Sequence, residues 1–132
     1  MTGFTMELNN LQIEEGKNTP KVDWNLANDL LVVSGKSFPE NTKKFYNPLT
    51  DWLEKNQIKG KKTFEFYFYY LSSSSIIAVY QILKRLELAE ENGAEIVVIW
   101  KFDQGDDDIK RIGLDYEKIT SLTINHLCVG NN

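Results

Sequence analysis

From Lys61 onward the apolar pattern switches back and forth between two periods, and this constrains the fold more than anything else in the chain. "KKTFEFYFYYL" (Lys61 to Leu71) alternates with period two. Phe64, Phe66, Phe68 and Tyr70 fall on one side, and Thr63, Glu65, Tyr67 and Tyr69 on the other. Ile76 to Glu91 instead carries a helical stripe of Ile76, Val79, Leu83 and Leu86, stopped by Asn92-Gly93. "AEIVVIWKF" is again a strand. "DDDIKRIGLDYEKI" is a helix with acids at its start, where the dipole favours them, and "SLTINHLCV" is a last strand. The order β-α-β-α-β asks for parallel strands joined by right-handed crossovers.

The first half adds antiparallel pairing. "TPKVDWNLANDLLVVSG" reads as two short strands joined by a turn at Asn25 to Asn28. Leu30 to Val33 is continuously apolar, the pattern of a strand covered on both faces. Phe45, Leu49 and Trp52 then recur at i, i+4, i+7, one face of a helix. Pro48 either kinks that helix or opens it, with Asn47 as cap. The expected organisation is an irregular N-terminal segment over residues 1–18, with one short strand around Met6 to Ile13, and a single α/β domain over residues 19–132. Its sheet is expected to be mixed and mostly parallel, with about five strands and about three helices.

Composition narrows the function. A chain of 132 residues makes one domain able to bury about two-thirds of its unfolded surface, without disulfide or metal staples. A formal charge of −4 argues against a nucleic-acid partner and against a membrane surface. Cys128 is the one cysteine, with neither a disulfide partner nor a zinc-site neighbourhood. No signal-peptide pattern and no apolar stretch of about 20 residues is present, so the expected location is cytoplasmic.

Chemistry in such a sheet gathers beyond the carboxyl ends of the parallel strands. Three loops should meet there: Ser37 to Asn41, Ser72 to Ser75, and Asp103 to Asp108. One serine at a helix start caps an amide. Four in a row exceed that need, and a phosphate at this position would gain from the helix dipole. Capping and phosphorylation both remain open readings of the serines alone. Asp103, Asp106, Asp107 and Asp108 lack the spacing of a calcium loop and read as a solvated helix start. His126 and Cys128 share one face of a strand and read as packing residues. No phosphate-binding glycine loop and no nucleophile–base pair can be named, so no catalytic residue, metal or cofactor is expected.

Several motifs are nevertheless specific in combination: "GKSFPEN" (Gly35 to Asn41), "PLTDWL" (Pro48 to Leu53), "FYFYYLSSSS" (Phe66 to Ser75), "WKFDQGDDD" (Trp100 to Asp108), then Gly113 and Tyr116. In this order they resemble the SiaC-type family of bacterial regulatory phosphoproteins, linked to biofilm and cyclic-di-GMP control. The resemblance implies a non-enzymatic domain similar to anti-sigma-factor antagonists (STAS-like). It implies a dedicated Ser/Thr kinase, a PP2C-type phosphatase, and a diguanylate cyclase bound and activated by the unphosphorylated form. The family's acceptor threonine, in an Asn-Thr-Ser-Ser stretch, falls on Ser73. Here Ser72 stands for the Asn and Ser73 for the Thr, and Ser72, Ser74 and Ser75 are neighbouring alternatives. Phe38, Pro39, Glu40, Asn41, Tyr67, Tyr69 and Asp103 are the candidate partner-binding residues. The competing readings are an anti-sigma-factor antagonist in a partner-switching pathway, and a small Mg²⁺-dependent phosphoryl-handling enzyme built on the aspartates and serines.

Overall fold

The computed structural model describes residues 10–25 and 28–130. Its elements run β1 (Asn10–Ile13), β2 (Lys21–Asn25), β3 (Leu30–Ser37), α1 (Thr42–Lys55), β4 (Lys61–Leu71), α2 (Ser73–Glu91), β5 (Glu95–Asp103), α3 (Asp107–Ile119) and β6 (Ile124–Val129). The six strands lie side by side in sequence order. β1, β2 and β3 pair antiparallel, and β3 to β6 pair parallel. The strand expected around Met6 to Ile13 is present over Asn10–Ile13 and makes the sheet six-stranded; Met6 to Asn9 lie outside the described residues. Leu26 and Ala27 of the expected turn also lie outside them, while the Asn28 amide donates to Asn25 Oδ1 at 3.3 Å.

The winding order decides the layers. Parallel strands laid down in one direction with right-handed crossovers send every connecting helix to the same face. Accordingly Leu31, Val33, Phe64, Phe66, Phe68, Val98 and Trp100 are buried beneath the helices. The alternate residues Val32, Glu65, Tyr67, Val97, Ile99 and Lys101 are only half-buried, on a face no described element covers. This corrects the reading of Leu30 to Val33 as covered on both sides. Leu31 and Val33 are core, Leu30 is exposed, and Val32 lies on the open face. An unbroken apolar run cannot reveal a missing layer.

Three local details set the site. α1 begins at Thr42 with Asn41 as cap, its side chain accepting from the Lys44 amide at 3.0 Å. The helix therefore runs through Pro48 and is not capped by Asn47. Pro48 lies on the exposed side, where water can take up the carbonyl that its missing N–H leaves free. α2 begins at Ser73, one turn earlier than its apolar stripe, with Ser72 as cap. α3 lies directly on β5: a Cβ on Gly113 would come within 2.3 Å of Trp100 Cδ1. The same indole donates from Nε1 to the Ile109 carbonyl at 2.8 Å, and Tyr116 packs edge-on against it at 5.4 Å. Only glycine permits this approach, which fixes where α3 starts at the rim.

Candidate functional site

The three expected loops lie beyond the carboxyl ends of β3, β4 and β5; one backbone bond joins the first two, and another ties the third to β6. The Ser72 amide donates to the Ser37 carbonyl at 2.9 Å, and the Gln104 amide to the Val129 carbonyl at 2.8 Å. Behind the serines lies a hydroxyl network. Ser72 Oγ accepts from the Ser75 amide at 3.2 Å and donates to Ser75 Oγ at 2.9 Å. The buried Ser75 Oγ is 2.8 Å from Ser37 Oγ, which is 2.5 Å from the Tyr46 hydroxyl. Burial pushes the Tyr46 hydroxyl up to about 12, so it stays a neutral hydroxyl. On the outside, Ser74 Oγ is 2.6 Å from Thr42 Oγ1 in α1 and 3.4 Å from Ser72 Oγ.

Ser73 differs from its neighbours. It occupies the first position of α2, is exposed, and has no hydrogen-bond partner on its side chain among the described residues. Ser72 caps, Ser74 bridges to α1, and Ser75 is locked inside. No acid stands in the first turn of α2, so no carboxylate of its own offsets the positive end of its dipole. Thr42, which holds Ser74, is followed by the exposed Lys43 and Lys44.

The candidate partner-binding residues separate into two groups. Asn41 is the α1 cap, with Glu40 exposed and Pro39 half-buried beside it. Tyr67, Tyr69 and Asp103 lie on the open face of the sheet. There the Tyr67 hydroxyl donates to Asp103 Oδ1, and the rings of Tyr67 and Tyr69 meet edge-on at 5.2 Å. The hydrogen bond to Asp103, more than burial, pushes the Tyr67 hydroxyl up to about 12. Beside it Lys101 pairs with Glu65 at 3.1 Å. Phe38 joins this second group through a residue placed wrongly by alternation. Gly35 pairs with Phe68 but Lys36 pairs with Tyr70, so Tyr69 is the extra residue of a bulge. Tyr70 is thereby turned out of the core, 53% exposed, edge-on to Phe38 at 5.5 Å, and Leu71 takes the inward place. The one sequence cue was Gly35, whose φ of +123° disfavours other residues.

The aspartates do not converge. Asp103 is held by Tyr67, Asp106 caps α3, and Asp108 pairs with Arg111 at 3.0 Å. Among the described residues no group of three His, Cys, Asp or Glu side chains is placed to hold a metal ion. A shallow cavity of about 310 Å³ between the Tyr69–Tyr70 pair and Asp106, Ile109 and Arg111 joins the aromatic row to the aspartate loop. The described strands are added in one direction, so the sheet has no point of reversed winding, where crevices for small ligands commonly form. His126 bonds Glu117 at 3.0 Å, but Cys128, expected in packing, is exposed, towards the far end of the edge strand β6.

The SiaC family regulatory phosphoprotein model matches residues 13–129. The chain belongs to the SiaC family. A Pseudomonas aeruginosa (strain UCBPP-PA14) protein is 26% identical to it over 117 residues, 87% of this chain and 93% of that one. Among solved structures, SiaC of Pseudomonas aeruginosa, in complex with the diguanylate cyclase SiaD that it activates, superposes with a TM-score of 0.82. That match is at 24% identity and covers 90% of this chain and 99% of that one. SiaC alone, from the same organism, gives 0.77 at 22% identity, over 92% of this chain and 98% of that one. The SiaC fold is thus retained, with its mixed sheet and three helices. No helix among the described residues is long and apolar enough to cross a membrane.

Proposed function

We propose that this SiaC-family regulator is a cytoplasmic, non-enzymatic module that binds and activates a diguanylate cyclase while Ser73 is free, and releases it when Ser73 is phosphorylated. The observation that carries the reading is the singling out of Ser73: exposed, unbonded and at a helix start with no acid in its first turn. A Ser/Thr kinase would transfer the γ-phosphoryl of ATP to Ser73 Oγ, releasing ADP and a proton. A PP2C-type phosphatase would restore the hydroxyl with water, releasing inorganic phosphate. The added charge of about −1.5 to −2 sits favourably on the helix start but is costly against a partner that offers it no cation. The solved relative, in which SiaC is described as the activator of SiaD, supports a cyclase as the partner. The aromatic row Phe38, Tyr70, Tyr69 and Tyr67, next to the serines, is the proposed docking surface, with Asp103 holding Tyr67 and Pro39, Glu40 and Asn41 at its border.

The test begins with intact mass and fragment mapping of protein from its native host, then titrates Ser73 variants against the captured cyclase. Ser73→Ala should bind like the unmodified chain, and Ser73→Asp should bind about 100-fold or more weakly, the equivalent of about 2.7 kcal/mol. Equal affinities for the two variants would remove the switch from this residue, and a phosphate found on Ser74 would move it by one. In the same titration Tyr67→Ala and Tyr69→Ala should weaken binding. Unchanged affinity in folded protein would take the docking surface off this face.

A further inference from the structure

Among the described residues β6 ends the sheet, bonded to β5 on one side only. In a parallel ladder the N–H and C=O of one residue point the same way, and successive residues alternate. The Val129 carbonyl accepts from Gln104, so Val129, Leu127 and Asn125 address β5, and Ile124, His126 and Cys128 address solvent. Glu117 Oε2 takes the Ile124 N–H at 3.1 Å. Among the described residues the backbone groups of His126 and Cys128 are left as the free rungs.

Beyond Glu117 at Ile124, no other described residue guards this edge. "INHLCV" contains no Lys, Arg, Asp, Glu or Pro, and its register with β5 has no bulge. Leu127 is 48% exposed on the open face, and Val129 and Cys128 are exposed with it. The helix above adds to the patch. Glu117 contacts both His126 and Ile124, so its side of α3 overlooks the edge. Leu114, three residues earlier on that side, is also exposed.

We propose that β6 is a self-pairing edge, to which a second copy of this chain adds its own β6 antiparallel about a twofold axis through Leu127. The strand is complementary to itself in this register. His126 of each copy meets Cys128 of the other in hydrogen-bonded positions. Leu127 meets Leu127 of the second copy in the non-hydrogen-bonded position between them, and Asn125 meets Val129. No like charges are opposed. The next register, centred on His126, would call on Ile124, whose N–H Glu117 already holds. The twofold axis stands perpendicular to the sheet, so both α3 helices fall on one face with their Leu114 sides towards each other. The sheet continues unbroken across the axis, and the two open faces become one surface.

Single cysteines placed on a Cys128→Ser background test the register. Opposed non-hydrogen-bonded residues stand about 4.5 Å apart at Cα, within disulfide reach. Asn125 and its counterpart would lie four residues apart along the pair, about 13 Å, and out of reach. Under mild oxidation Leu127→Cys should therefore give at least about tenfold more covalent dimer than Asn125→Cys. Sedimentation should show the unmodified chain associating and Leu127→Lys monomeric, because like charges would meet on the axis. Equal cross-linking by the two cysteines, or none by either, overturns the proposal. So does a Leu127→Lys variant that associates as the unmodified chain does. If Leu127→Lys instead leaves the chain monomeric as before but weakens capture of another protein, the edge belongs to a foreign strand and self-pairing is wrong. None of these readouts involves Ser73 or a cyclase, so they stand apart from the phosphorylation switch.

Discussion

Two helices of this protein start at the same rim, each following a strand of the same parallel run, yet they solve the same electrostatic problem in opposite ways. α3 starts with a permanent charge: Asp106 accepts from the Ile109 amide at 3.1 Å, and Asp107 and Asp108 fill the first turn. α2 starts neutral: Ser72 caps it, Ser73 and Ser74 follow, and no acid is present. A helix start needs one side-chain oxygen to satisfy an orphan amide, and either chemistry supplies it. Only the serine version leaves the half-charge of the dipole open to something that can be added and removed. The wiring differs too. The caps and ion pair at the start of α3 stay within its own first turns, whereas the serines of α2 reach Ser37, Tyr46 and Thr42 in two other elements. A change at α2 is therefore felt by the loop from β3 to α1, while the start of α3 acts as a fixed post.

The fixed post is the easiest part to break. Gly113→Ala would drive a Cβ into the Trp100 ring, which is wholly buried and cannot move aside. The expected loss, read from chemical denaturation, is about 3 kcal/mol, the upper end of overpacking. If Gly113→Ala melts like the unmodified chain, α3 is not held by Trp100, and the contrast between a fixed and a responsive helix start collapses.

The contrast also runs along α2 itself. Far from the rim, Glu87 takes the Lys84 ammonium at 2.5 Å and the Ser121 amide. The hydrogen bond from Lys84 first, and that from Ser121 second, lower its carboxyl from the usual 4.5 to about 2. A carboxyl with a lowered folded value contributes stability that is fully present above 4.5 and is lost as pH falls towards 2. Glu87→Gln should cost about 1–2 kcal/mol near neutral pH, and the deficit should shrink as acid unfolding titrations approach pH 2. The serine end contains no such group, so Ser75→Ala should instead show a deficit that does not vary over the same range. A pH-independent deficit for Glu87→Gln would show that its loss is one of packing.

Much of this was legible in the chain. The alternating periods after Lys61 fixed a parallel run, and "SSSSIIAV" placed hydroxyls at a helix start. What was hidden depended on partners distant in sequence. No local pattern tells Ser73 from Ser75, because the difference lies in Ser37 and Tyr46, 38 residues away for Ser37 and on another helix for Tyr46. Alternation put Tyr70 on the side of Phe64, Phe66 and Phe68, and one bulge opposite Gly35 and Lys36 reversed it. The serine run concealed the true start of α2, since serine both caps a helix and continues it. The apolar run Leu30 to Val33 promised a cover on both faces that the one-directional winding does not supply.

The smallest effect is the one that best separates fold from switch. Ser73→Asp brings to α2 the kind of charge that Asp107 already gives α3, so it should stabilise the isolated protein, by about 0.3–1 kcal/mol at low salt. Asp107→Ser should cost a similar amount, and both differences should fade as salt shortens the Debye length to about 3 Å near 1 M. Thermal melts of the two variants at low and high salt measure this directly. A stabilised Ser73→Asp that no longer binds the cyclase would mean that charge at this position acts on the partner and not on the fold. A destabilised Ser73→Asp would mean that the hydroxyl network, and not the bare dipole, governs the start of α2. Lost binding would then report a disturbed β3–α1 loop, reached through Ser74 and Thr42.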